Sequence, residues 1–394
     1  VYRLESPRRC YDWGSTTLLQ QFLGETIDGN PLAEVWMGAH PDDASVAVTG
    51  GRRITLSQLI KEWPQQMLGD SVLSKWGPQL PFLAKFLAAA EKLSIQVHPT
   101  VEQAIAGYLA EKEAGVPHDA PERTYKDRSH KPEIVYPLTS FELLSGLREP
   151  EQSAKLIESL YVPELAPLVA VLRGSAPQYA HREAFRFVME QRDADASWVE
   201  AVTEAAGKQR GARPEMRVVA ELGEQFSGDP GVIAPLLMNY ERLAPGQVVY
   251  TAPGTLHAYL RGLAVEVMAS SDNVLRAALT SKHVDSSGVL AVSDFTPGLT
   301  VFPAPTVLSP EVLEYRLPDT QDFAVQVVTC RGGTRVEAIS TGPRIAICIE
   351  GEITAEADDH INMEPGDAIF IADAEGAFSF SGNGTGIVAY VPLS

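Results

Sequence analysis

The segment LAPGQVVYTAPGTLHAYL, beginning at Leu243, returns without a gap as MEPGDAIFIADAEGAFSF from Met363. Each copy opens on a proline-glycine turn, continues in a short apolar β run and reaches a second turn before another strand. Such an echo restricts the chain to folds that contain two related β modules. From Arg242 to the end, short strands punctuated by proline and glycine recur at the intervals of a sandwich or jelly roll. The copies differ where chemistry would sit: the first carries His257, and the aligned position in the second is Ala377. Only the first copy keeps a candidate ligand.

A chain of 394 residues exceeds one ordinary core, so several units are expected. From Val1 to about Pro99, β-like runs such as AEVWMGAHP and SVAVTGGRRITL alternate with a helical region expected over Leu56 to Leu93. There LSQLIKEW and LPFLAKFLAAAEKL place apolar residues at helical spacing. Thr100 to Ser129 opens with a short helix and then reads as a long polar loop. Between about Glu149 and Tyr240 alanine, leucine and glutamate recur at three- and four-residue spacing, which predicts a helical insertion that serves as lid or scaffold. The expected fold is mainly β with an α-helical insertion. Its units are residues 1–148 together with 241–300, the helical segment 149–240, and a C-terminal β module over 301–394.

Charged residues make up 21% and hydrophobic residues 45%, the composition of a soluble globular protein. A formal charge of −19 argues against nucleic-acid or anionic-membrane partners, and any anionic substrate would need deliberately placed cations. Three scattered cysteines, Cys10, Cys330 and Cys348, suit a reduced, cytoplasmic setting. No segment reads as a secretion signal or a membrane span.

In Ser94–Pro99, SIQVHP, an extended backbone puts Ser94, Gln96 and His98 on one side and Ile95 and Val97 on the other. A half-exposed strand is the ordinary reading of that alternation. Of the eight histidines, His118, His181, His283 and His360 sit in polar or helical contexts and read as surface residues, while His40 reads as structural or cleft-lining. His98, His130 and His257 each adjoin a turn signal and a β run. Gln96, His98, His257 and Glu133, the last at the start of EIVY, suit a divalent metal with an open position, or alternatively a polar core network.

Five blocks, YDWGS from Tyr11, AEVWMGAHP from Ala33, PFLAKFLAAAEKLSIQVHP from Pro81, YKDRSHKPE from Tyr125 and GTLHAYLRGLAVEVMASSDNVLRAALTSKHVD from Gly254, together resemble the type I mannose-6-phosphate isomerase family. They run in order from Tyr11 to about Asp285, and the C-terminal module also fits. The resemblance implies two cupin-type β-jelly-roll modules with a helical domain, the second module lacking metal ligands. It also implies one Zn²⁺ per chain on Gln96, His98, Glu133 and His257, and reversible interconversion of mannose 6-phosphate and fructose 6-phosphate by a monomer.

Moving a proton between C2 and C1 of a sugar requires a base and a way to stabilise an enediolate. His130, Lys131, Glu266 and Asp272 are chemically possible bases. Arg276 matches an arginine regarded as catalytic in the family, and its permanent charge suits the enediolate; its ordinary reading is a salt-bridging arginine. Glu266, in LAVEVMA, points either inward or to solvent. Ser94 shares the face of Gln96, Lys85 and Lys282 match positions associated with the phosphate end, and Lys131 adds to the field. Trp13 and Trp36 read as core or cleft-wall aromatics. A sugar-phosphate-binding cupin without catalysis and a cupin metal oxygenase are the rivals; the intact HKPE and SSDNVLR blocks disfavour the first, and the glutamine with a single carboxylate disfavours the second.

Overall fold

The computed structural model describes residues 1–193, 197–356 and 360–393. The strand His257–Ala269 organises the elements around the histidines. Its first residues pair with Phe141–Leu147, and His257 also pairs with Gln96 of the strand Ile95–Val97. Further along it runs between Phe82–Ala89 on one edge and Glu133–Pro137 on the other, every pairing antiparallel. Gly262 marks the change of partners: its φ is +125°, and a Cβ there would come within 2.6 Å of the Ser140 carbonyl oxygen. One strand therefore serves two groups of strands.

Phe82–Ala89 departs from the sequence expectation. Helix is confined to Leu56–Glu62 and Pro64–Trp76, whereas PFLAKFLAA forms a strand whose every residue is buried. A strand covered on both faces is apolar without alternation, so periodicity does not separate it from a buried helix, and its alanines and leucines favour the wrong state.

Helices between Pro150 and Leu237 form a continuous packed group, five of the α-helices carrying a proline at one of the first two positions, where the missing N–H has no partner to lose. They share one core with Leu144, Ala258, Leu260 and Leu275, so they back the strands that carry His257 and Arg276. His181 corrects another expectation. It lies on the buried face of Pro177–Glu190 with Ala184, Phe185 and Val188, and its Nε2–H donates to the Arg148 carbonyl at 2.6 Å. The polar neighbours Arg182 and Glu183 disguise that face in the sequence, although Arg182 itself turns in to donate to the Leu290 carbonyl. His118, His283 and His360 are exposed.

C-terminal strands from Thr306 to Tyr390 form a second sheet, which also takes Tyr2–Glu5 against Ala368–Ile371 and extends through Val46–Thr49 to Arg52–Thr55. N-terminal residues thus complete the C-terminal sheet. With eleven α-helices among the described residues, the chain is mixed α and β with mostly antiparallel sheets. No helix among them is long and apolar enough to cross a membrane.

The repeated segments fold alike. Gly246 and Gly366 both have positive φ, and their N–H groups donate to Pro137 and Cys348 respectively. The N–H of Ala244 is capped by the Gln247 side chain, and that of Glu364 by the Asp367 side chain. Thr251 lies opposite Glu133 in the first copy, and the aligned Ile371 lies opposite Arg344 in the second. Arg344 is therefore the counterpart of Glu133. Its guanidinium is fully buried and donates to the carbonyls of Ile339, Ala372 and Gly376.

Candidate active site

Register assembles the polar face anticipated at SIQVHP. His257 lies directly across from Gln96, and Gln96 directly across from Arg276 of the strand Leu275–Ala278. Opposed residues of antiparallel strands project to the same side, so His257, Gln96 and Arg276 form one row, with Ile95 and Val97 turned into the core behind it. Glu133 reaches the row from the strands paired with the far half of His257–Ala269. Its carboxylate oxygens lie 3.2 Å from His98 Nε2 and 3.3 Å from His257 Nε2.

The two imidazoles are held in one tautomer. His98 Nδ1–H donates to the Asn273 carbonyl at 2.7 Å and His257 Nδ1–H to the Thr255 carbonyl at 2.9 Å. Each Nε2 is then an acceptor, buried and without a hydrogen-bond partner, and it faces an ionised carboxylate. Acceptor facing acceptor in a buried site calls for a cation between them. Ligands about 2.1 Å from a tetrahedral zinc are about 3.4 Å apart, close to the spacing found here. His98, Glu133 and His257 converge as a group able to hold a metal, and Gln96 adjoins them across the strand pair. Burial, reinforced by Lys131, pushes the His98 imidazole down to about 4, so it stays neutral and able to ligate. Burial opposes the charge on Glu133, yet Lys131 at 3.1 Å helps to hold its carboxyl well below the usual range.

A second row, Trp36, Lys85 and Glu266, crosses three adjacent strands. Lys85 Nζ is 3.0 Å from Glu34 Oε1 and 2.6 Å from Glu266 Oε2, and the Trp36 indole N–H donates to Glu34 at 2.9 Å. The Tyr259 hydroxyl lies 2.6 Å from Glu266 and 3.1 Å from Glu133. Buried polar groups thus connect the cleft wall to the group able to hold a metal. Glu266 faces inward, and burial raises its pKa. Lys85 lines the cavity with its charge already engaged: burial opposes the ammonium, but Glu266 and Glu34 more than compensate.

A cavity of about 650 Å³ joins both rows, and Ser94, Lys131, Asp272 and Lys282 also line it. Trp13 and Trp36 form part of its wall, while Gln225 and Phe226 come from the helical segment. Arg192, just after the helix Pro177–Glu190, donates to the carbonyl of the cavity-lining Thr280. Burial lowers the pKa of Arg276, and burial together with Arg276 lowers that of Lys282. No carboxylate within ion-pairing distance offsets either charge among the described residues, which leaves two cations free for an anion. Asp272 keeps a side chain 41% exposed, 3.3 Å from His40 Nε2. His130 does not line the cavity; its Nε2 is engaged by Asp322 at 2.7 Å.

Sequence reasoning missed Glu34, Tyr259, Asp127 and Asn273. A carboxylate inside the apolar run AEVWM was the available signal for Glu34, and the two-residue step from His257 was the signal for Tyr259.

Residues 1–150 match the model of the phosphomannose isomerase type I catalytic domain, and residues 314–391 that of the mannose-6-phosphate isomerase cupin domain. Mannose-6-phosphate isomerase of Salmonella typhimurium is 35% identical over 387 residues, covering 95% of each chain. Mannose-6-phosphate isomerase 1 of Arabidopsis thaliana is 33% identical over 404 residues, covering 95% of this chain and 90% of its own. A solved structure of mannose 6-phosphate isomerase in its holo, zinc-bound form superposes with a TM-score of 0.92 at 33% identity, covering 100% of this chain and 99% of the other.

Proposed function

The chain belongs to the type I mannose-6-phosphate isomerase family, and on that premise we propose that the cavity bounded by Glu133, Asp272 and Arg276 is its catalytic site. The reaction is the metal-dependent interconversion of mannose 6-phosphate and fructose 6-phosphate. The observation that carries the assignment is the pair of buried, unpartnered Nε2 atoms aimed at Glu133.

His98, Glu133, His257 and Gln96 would hold one zinc. When bound, the metal supplies positive charge to polarise the sugar oxygens. Asp272 is the base we favour among the four candidates. Its half-exposed carboxylate lines the cavity, and His40 keeps it ionised against the opposing effect of burial. Glu266 and Lys131 are engaged by Lys85 and Glu133, and His130 by Asp322. Asp272 takes the proton from C2 of the open-chain aldose and returns it to C1, while a hydroxyl proton moves between the neighbouring oxygens; nothing is gained or lost overall. Arg276, beside Gln96, stabilises the enediolate. Lys282 and Ser94 receive the phosphate. Lys85 and Glu266 fix the floor of the site through Tyr259.

The finer architecture belongs to the same reading. Residues 1–148 with 241–300 form the catalytic cupin-type jelly roll, 149–240 the helical insertion, and 301–394 a second jelly roll without ligands, completed by N-terminal strands. The repeated turn bonds and the Glu133–Arg344 correspondence support two related modules. A cytoplasmic monomer is consistent with three free cysteines and with a site built from a single chain. A coupled assay of fructose 6-phosphate formation from mannose 6-phosphate, with and without a chelator, tests the function. Chelation should abolish turnover and zinc should restore it; a rate indifferent to the chelator would refute the metal-dependent reading.

A further inference from the structure

Two of the blocks that carry the family resemblance, YKDRSHKPE and SSDNVLRAALT, contain Asp127 and Asn273, neither of which lines the catalytic cavity. Asp127 lies between the helix Val101–Glu113 and the strand Glu133–Pro137, in chain without regular structure. Its carboxylate gathers donors from a loop 144 to 146 positions away. Oδ2 accepts the Asp272 N–H at 2.8 Å, and the Ser271 hydroxyl lies 2.9 and 3.1 Å from the two oxygens. Oδ1 also takes the Asn273 side-chain amide at 3.1 Å and the Ser129 N–H at 2.8 Å. In return, Asn273 Oδ1 accepts the N–H groups of Lys126 and Asp127 at 2.8 and 3.2 Å. Ser271 and Asn273 are 1% and 0% exposed, so these bonds have no water to fall back on.

This junction ends in functional groups on both sides. The Asn273 carbonyl accepts His98 Nδ1–H, the bond that turns His98 Nε2 toward the metal position. One residue earlier, Asp272 directs its carboxylate into the cavity, braced by His40. Both placements depend on where the backbone of residues 271–273 runs, and Asp127 is the group that bonds all three of those residues.

We propose that Asp127 is a positioning residue outside the cavity that sets the metal ligand His98 and the proton-moving carboxylate Asp272 in one geometry. The half concerning Asp272 rests on the isomerase reading; the half concerning His98 does not. Asp127→Asn conserves shape but presents an amide donor to a shell composed of donors, so at least one of them loses its acceptor. Asp127→Ala removes every acceptor.

The test uses the full-length, zinc-loaded protein. Zinc affinity is read by competition with a chromophoric chelator, kcat and KM are measured at saturating zinc, and folding is followed by thermal unfolding. For Asp127→Asn the zinc Kd should rise about tenfold or more. Its kcat at saturating zinc should fall about tenfold or more, with KM changed by less than about threefold, since misplacement of a catalytic group acts on the rate. Ser271→Ala, which removes one donor, should shift both quantities in the same direction by less. Should Asp127→Ala fail to fold, the isosteric variant decides. Wild-type zinc affinity and kcat in Asp127→Asn with only a lowered Tm would overturn the proposal, as would full recovery of kcat on zinc saturation. A wild-type protein inactive on mannose 6-phosphate would instead refute the isomerase reading, and the zinc titration would still test the hold on His98.

Discussion

Arg276→Met separates a functional charge from a structural one. The guanidinium is partly buried and has no carboxylate partner among the described residues, so burial disfavours its protonated form, and its charge in turn acts on Lys282. No carboxylate among the described residues compensates that charge; an anionic substrate would. Methionine fills comparable length without charge, and its effect on stability should lie between zero and about 1 kcal/mol of stabilisation, because an uncompensated, desolvated cation has been removed. Catalysis should respond oppositely. Loss of one preformed oxyanion partner lowers kcat by about 10² to 10³, or about 2.7 to 4 kcal/mol of barrier, with a smaller change in KM. Arg276→Lys should retain part of the rate, since charge remains but the planar fork is lost. Steady-state kinetics with saturating zinc, metal analysis and thermal unfolding of the same preparations provide the readouts. An unchanged kcat with a raised KM would make Arg276 a phosphate contact, and a clearly lowered Tm would show a structural role; either result refutes the reasoning.

Lys282 supplies a pH dependence. Its lowered pKa means that it loses its proton, and hence its attraction for phosphate, at lower pH than an ordinary lysine. The KM for mannose 6-phosphate should therefore rise on the alkaline side below the usual lysine range, and Arg276→Met should move that rise to higher pH. Glu133→Gln keeps the shape of the metal site but removes its negative charge, so zinc affinity should fall by about tenfold or more and added zinc should recover part of the activity; unchanged zinc retention after dialysis would exclude Glu133 as a ligand. On the helical segment, Lys155→Glu disturbs only an exposed pair with Glu151 and should leave kcat within about twofold. Arg192→Ala cuts a bond to the cavity rim at Thr280 and should raise KM; equal effects from both substitutions would contradict that distinction.

Where one face of an element is polar, its position was legible from the sequence. Ile95 and Val97 enter the core while Gln96 faces the site, as alternation required, and the helical texture after Glu149 became helices because each pairs one apolar face with one polar face. Legibility failed where both faces are covered. Phe82–Ala89 shows no alternation because every residue is buried, and His181 is hidden by the polar residues Arg182 and Glu183 that follow it in the sequence. Nor could spacing reveal that Lys85 lies opposite Glu266, since cross-strand register depends on chain segments 181 positions apart meeting in one sheet. Asp127 was the least legible, because its role consists of bonds between two irregular loops, for which no periodicity exists.

Arg344 gives the two modules different dependence on their surroundings. Where the first has the buried carboxylate of Glu133, the second has a positive charge covalently attached, fully buried and capped by three carbonyls. Burial pushes its pKa down to about 10, so it remains charged at neutral pH. Removal of metal therefore acts on the group of His98, Glu133 and His257 able to hold it, whereas the Arg344 contacts need no ion, and the N-terminal strand Tyr2–Glu5 pairs with Ala368–Ile371, the strand beside Arg344.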